Sequence, residues 1–136
     1  YTKIVSPASG RVAQVTLRPG SVVNNGETLA ALIEDSEWWV DVNYKETQLG
    51  SIHPGQNATI QLDMYGSHLF NGKILEVSPS SGATFSLLPP ENATGNWVKV
   101  VQRYPVKVSL FLTPEEKAHY PLRVGASSTV TVQVTE

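Results

Sequence analysis

Ala58-Thr59-Ile60-Gln61-Leu62, Val106-Lys107-Val108-Ser109-Leu110 and Val130-Thr131-Val132-Gln133-Val134 each alternate aliphatic and polar side chains. Successive side chains of a β-strand point to opposite faces, so each stretch puts its aliphatic residues on one side and its polar residues on the other. That is the pattern of a strand with one face buried. Outward from these stretches, clusters of turn-forming residues mark the gaps: Arg18-Pro19-Gly20, Asn24-Asn25-Gly26, Pro54-Gly55, Tyr65-Gly66-Ser67 and Asn71-Gly72. Helical signal is confined to two short places. Tyr44 to Ile52 has room for two turns, and Thr113-Pro114-Glu115-Glu116 carries a cap, a first-turn proline and acidic first-turn residues. An all-β protein is expected.

Composition narrows the function. The 136 residues are 40% apolar and 16% charged, unlike a disordered tail or a coiled coil. Ten Lys+Arg against twelve Asp+Glu give a net charge of −2, so there is no basic surplus to neutralise a phosphate backbone. Nucleic acid is a poor partner. The absence of cysteine excludes disulfides, thiolate metal sites and a cysteine nucleophile. No apolar run approaches the roughly 20 residues of a membrane-spanning helix.

Two blocks differ in texture. Residues 1–36 are dense in glycine turns, with strands expected over Arg11–Leu17 and Glu27–Ile33. Pro19-Gly20 suits a type II turn and Asn25-Gly26 a type I′ turn. The aliphatic residues here, Val12, Val15, Val22, Val23, Leu29 and Leu32, supply too little area for a separate core, so the block needs another sheet to lie against. After the polar break Glu34-Asp35-Ser36-Glu37, residues 37–136 carry longer strands. Within them Val77–Asn96 reads as a long loop, a kind of segment that is usually functional. Pro105, which has no N–H to donate, is expected at an edge or bulge.

No catalytic, cofactor or metal site is legible. His53, His68 and His119 have no ligand partner at metal spacing, and Gly125-Ala126-Ser127 leads into a strand rather than the strand-to-helix turn of a serine nucleophile. Glu34/Asp35 and Glu115/Glu116 read as solvated turn and first-turn carboxylates. The chain is expected not to be an enzyme.

The glycine spacing of the first block resembles one half of a lipoyl/biotinyl-like barrel-sandwich. Carriers of that fold present a modifiable lysine at a hairpin tip, where this chain has Pro19-Gly20 and Asn25-Gly26, so a cofactor carrier is disfavoured. Trp39-Val40-Asp41-Val42-Asn43-Tyr44-Lys45-Glu46-Thr47-Gln48-Leu49 with Gly55-Gln56 resembles the segment joining lipoyl and β-barrel domains in HlyD-like membrane fusion proteins. The run from Phe85-Ser86-Leu87-Leu88-Pro89-Pro90 through Asn96-Trp97-Val98-Lys99-Val100 to Arg103-Tyr104-Pro105-Val106 is similar to the signature of the EmrA-type adaptors in that family, and Tyr120–Ser127 is similar to their closing barrel segment.

The resemblance implies a half lipoyl-like domain at 1–36 and a roughly six-stranded β-barrel at 37–136. It also implies that the chain is the C-terminal part of an adaptor whose membrane helix, first half-motif and α-helical hairpin precede it. Such adaptors are homo-oligomers of the periplasm anchored in the inner membrane. They couple a proton-driven major facilitator transporter to a TolC-type outer-membrane channel in multidrug efflux and antibiotic resistance.

On this reading several residues become candidates for contact with partners or hydrophobic drugs. Trp38, Trp39 and Trp97 offer aromatic faces for drugs, or fill the core and the domain junction as large aromatics ordinarily do. Lys99 and Arg103 meet acidic groups of a transporter or neighbouring protomer, or lie on the solvated face of a strand running from Trp97 to Arg103. Glu46 is a candidate for pairing across an adaptor–adaptor interface. Phe85, Leu87 and Leu88 in the long loop form a contact surface or a lid over the barrel end. A soluble module that captures drug directly is the alternative function.

Overall fold

The computed structural model describes residues 3–85 and 99–134. The chain divides into two compact units, Tyr1–Trp38 and Trp39–Glu136.

In the first unit, β1 (Gly10–Ala13) pairs antiparallel with β2 (Ala31–Glu34), Gly10 opposite Glu34 and Ala13 opposite Ala31. Both strands are shorter than their residue pattern suggests. Gln14 adopts φ 49°, a left-handed conformation that ends the extended run after Ala13. Gly10 lies so close to the Ile33 carbonyl that no side chain fits there. The Arg18–Ser21 turn closes with a 3.0 Å bond from the Ser21 N–H to the Arg18 carbonyl, and Gly20 has the positive φ of a type II turn. In the Asn24–Glu27 turn only Gly26 has positive φ. This meets the type II requirement, not the expected type I′, which needs positive φ at Asn25 too. No described side chain of this unit is buried.

The second unit is one five-stranded sheet among the described residues. Its strands are β3 (Trp38–Lys45), β4 (Asn57–Leu62), β5 (Leu69–Val77), β6 (Arg103–Phe111) and β7 (Ser128–Val132), in the order β3-β6-β5-β4-β7. β4 runs antiparallel to both neighbours, with Ile60 opposite Phe70 on β5 and opposite Val130 on β7. The aliphatic faces converge as the alternation requires: Ile60, Phe70, Ile74, Val106 and Val108 are the fully enclosed core, ringed by Ile52, Ala58, Leu62 and Leu110. Gly72 makes that closeness possible, because a Cβ there would meet the Ser109 carbonyl at 2.5 Å and Ile60 Cδ1 at 2.6 Å.

The sheet curls. β3 and β7 are its two ends, yet the Tyr44 hydroxyl on β3 donates a 3.2 Å hydrogen bond to the Val130 carbonyl on β7. One side chain thus spans a seam where, among the described residues, no ladder runs between the end strands. Tyr44 to Ile52 supplies a 3₁₀ segment (Glu46–Ser51) rather than two α-turns, and the Lys45 N–H is capped by the Gln48 side chain at 3.2 Å. Thr113 begins helix α1 (Pro114–His119) with a full capping box, as its sequence requires. Pro105 lies inside β6, an interior strand. The expected irregularity falls on the facing strand instead, where the β5 register slips between Ile74 and Glu76.

Candidate functional site

Two of the described candidate residues, Trp39 and Arg103, share the outer face of β3 and β6, and the others lie elsewhere. Strand β3 alternates from its first residue, so Trp38 is half-buried while Trp39 points to solvent. The Lys107 ammonium of β6 lies 5.0 Å from the Trp39 ring centroid, a cation–π contact on the surface. Arg103 begins β6 and is exposed. Lys99 is exposed too, but it precedes the strand: residues 99–102 are not extended into the sheet, so the expected alternation from Trp97 to Arg103 does not exist in its described part. Glu46 starts the 3₁₀ segment at the end of β3, where its backbone N–H donates to the Gln102 carbonyl at 2.9 Å. Phe85 closes a short 3₁₀ turn, Gly82–Phe85, that follows β5. Leu87, Leu88 and Trp97 lie outside the described residues.

Lys107 and its neighbour Leu75 on β5 were not legible as site residues. The alternating pattern marks both only as outward-facing: Lys107 on β6, and Leu75 as the continuation of the series Leu69, Asn71 and Lys73.

A second cluster also escapes a sequence reading. His68, just before β5, stacks on Tyr120 at 4.2 Å with a 19° interplanar angle and meets Phe70 edge-on at 4.5 Å. Its Nε2 lies 3.0 Å from Glu116 Oε1. Glu116 also accepts from the Thr113 N–H (2.8 Å) and hydroxyl (2.9 Å) through its other oxygen. Tyr65 completes the group, donating from its hydroxyl to the Pro121 carbonyl at 2.6 Å. Backbone hydrogen bonding from Thr113 holds the Glu116 carboxyl below the ordinary carboxylate range against the opposing effect of burial, and His68 adds to the lowering. Tyr65 and His68 are separated from Glu116 and Tyr120 by some fifty residues of chain, so no local motif announces the cluster. Its chemistry is that of a fastener: the His68–Glu116 and Tyr65–Pro121 bonds tie α1 and the residues that follow it to the β4–β5 connection.

Among the described residues no three His, Cys, Asp or Glu side chains come together as a metal site, and no helix is long and apolar enough to cross a membrane.

Comparison with known proteins gives this arrangement a context. Residues 37–85 match the family model described as the CusB-like β-barrel domain. The probable multidrug resistance protein EmrK of Escherichia coli K12 is 44% identical over 132 residues, 96% of this chain and 34% of the relative. The multidrug export protein EmrA of the same strain is 42% identical over 135 residues, 98% of this chain and 34% of the relative. The solved structure of the periplasmic adaptor protein EmrA superposes with a TM-score of 0.61 at 28% identity, covering 93% of this chain and 31% of that one. Over nearly its whole length the chain is thus similar to EmrA and EmrK, and residues 37–85 are similar to the β-barrel domain of CusB-like proteins. It spans about a third of the length of these curated relatives.

Proposed function

We propose that this chain is part of a periplasmic adaptor of a tripartite multidrug efflux system. In this reading the adaptor is anchored in the inner membrane and joins a major facilitator drug:proton antiporter to a TolC-type outer-membrane channel. The observation that carries the reading is the extent of the likeness: identity above 40% over 132 and 135 residues, nearly the whole chain, to proteins named for multidrug resistance and export. The first block, residues 1–36, then supplies half of a lipoyl-like sandwich, and residues 37–136 supply the β-barrel. The work is geometric. A homo-oligomer holds a continuous path and passes conformational change between partners, and the outward residues Trp39, Glu46 and Arg103 are placed for contact rather than for bond chemistry.

The test is complementation. A strain lacking its EmrA-type adaptor is given the full-length parent of this chain together with its cognate transporter, and susceptibility to exported compounds is measured. Restored resistance that depends on both the transporter and the outer-membrane channel supports the reading. Unchanged susceptibility with the protein present at normal level overturns it. A second reading, direct capture of hydrophobic drug, is favoured by the exposed Trp39 ring. Saturable, micromolar quenching of tryptophan fluorescence at one site per protomer is its signature and counts against a purely structural part.

A further inference from the structure

The outer face of β3, β6 and β5 carries a feature that the adaptor role leaves unused. Strand β5 alternates strictly from Leu69 to Ile74, then shows two exposed residues in succession, Leu75 and Glu76. The cause is the bulge: Ile74 faces Val108 and Glu76 faces Lys107, so Leu75 is an extra residue with no partner on β6. A bulge interrupts a ladder and re-aims a side chain: Leu75 continues the outward series Leu69, Asn71 and Lys73 at 52% exposure, and the extra residue turns Glu76 outward beside it. Leu75 thereby shares the face with Lys107, whose ammonium lies over Trp39, itself 53% exposed. Phe111, also outward, extends the apolar series along β6.

Charge on this face opposes that of the whole chain. Its outward positions bear Lys45, Lys73, Arg103 and Lys107 against Asp41 and Glu76, a net positive surface on a chain of net charge −2. The ordinary reading is a solvated sheet face with scattered apolar residues, which is common. Two observations argue for more: Trp39, Leu75 and Phe111 are each more than half exposed on one net-cationic face, and they are separated from one another by cations and by polar residues such as Ser109. A specific protein interface needs a contiguous apolar centre, which this outer face of a curled sheet does not offer. Isolated apolar prongs between lysines suit a fluid headgroup layer, where tryptophan settles at the boundary and cations meet anionic lipid.

We propose that the Trp39–Lys107–Leu75 face binds the surface of an anionic bilayer, with lysines at the headgroups and Trp39 and Leu75 inserted between them. The test is sedimentation of the 136-residue chain with sucrose-loaded vesicles of phosphatidylglycerol and phosphatidylethanolamine, against vesicles of phosphatidylcholine alone. Binding to the anionic vesicles only, abolished by high salt, is expected. Lys73→Gln/Lys107→Gln weakens it by roughly fivefold for each lysine. Trp39→Ala weakens it while leaving the salt dependence unchanged. Lys117→Gln/Arg123→Gln, on the connection between β6 and β7, leaves it at the wild-type level. Circular dichroism establishes that each variant is folded before it is scored. Sedimentation with neither vesicle type overturns the proposal and leaves the face to an acidic protein. Equal binding by Lys73→Gln/Lys107→Gln, or an equal loss in Lys117→Gln/Arg123→Gln, overturns it as well.

Discussion

At the scale of single residues, Gly72 and Glu116 show how much one position can carry. Gly72 has no side chain because β6 and the Ile60 methyl already occupy the space. Gly72→Ala is expected to cost about 1–3 kcal/mol through overpacking, read as a lower midpoint in urea; an unchanged midpoint would show that the core yields there. Glu116 is a fastening rather than a packing residue. Thr113→Ala removes the cap that receives the Glu116 N–H and should cost about 1 kcal/mol. The pH dependence follows from the lowered carboxyl. Its folded value lies below the unfolded one, so its stabilisation is complete above the unfolded value and is lost as pH falls through the folded value. The stability difference between wild type and Glu116→Gln is therefore expected at neutral pH and should vanish when pH is lowered well below about 4. A difference that persists in acid would place the effect outside the carboxylate.

At the scale of elements, the seam between β3 and β7 is the weak join of the sheet. A paired strand edge is held by a row of backbone bonds, whereas here the described tie is the Tyr44 hydroxyl on the Val130 carbonyl. Tyr44→Phe keeps the ring and removes that bond. It should lower stability by about 1 kcal/mol and speed amide exchange in β7 selectively; uniform exchange changes, or none, would contradict the seam. Burial raises the Tyr44 phenol above its ordinary value. Its contribution is therefore complete at neutral pH and disappears only as pH rises through that raised value. The helix α1 and the turn before β5 illustrate a different division. The capping box at Thr113 is written locally and appears as written, while its attachment through His68 and Tyr120 depends on which connections meet at that end of the sheet.

At the scale of the whole chain, the two units differ in what holds them. The second encloses Phe70, Ile60 and Val108 completely, whereas in the first Val12, Val15 and Val22 are all well exposed and β1 and β2 share only a short ladder. Amide exchange is expected to be fast throughout β1 and β2 and slow in β4, β5 and β6. Deleting residues 1–36 should leave the exchange pattern of the sheet intact. Protection of β1 and β2 equal to that of β5 in the isolated chain would mean that the first unit is stable without further material, and the half-domain reading of residues 1–36 would fall.

What the sequence determined by itself is the part written in period two and in turns. Alternation in Ala58–Leu62 and Val106–Leu110 assigned the buried faces, because side-chain direction in a strand is a local property. Gly20 and the cap at Thr113 were legible for the same reason, since a turn or a cap is made by neighbours in the chain. Tertiary structure decided the rest. Gln14 ended β1 early, the register slip that turns Glu76 outward moved the irregularity from Pro105 to the strand facing it, and His68 met Glu116 across 48 residues. These features arise from which strands pair and in what register, and pairing energies are set by partners distant in sequence, so no single stretch encodes them.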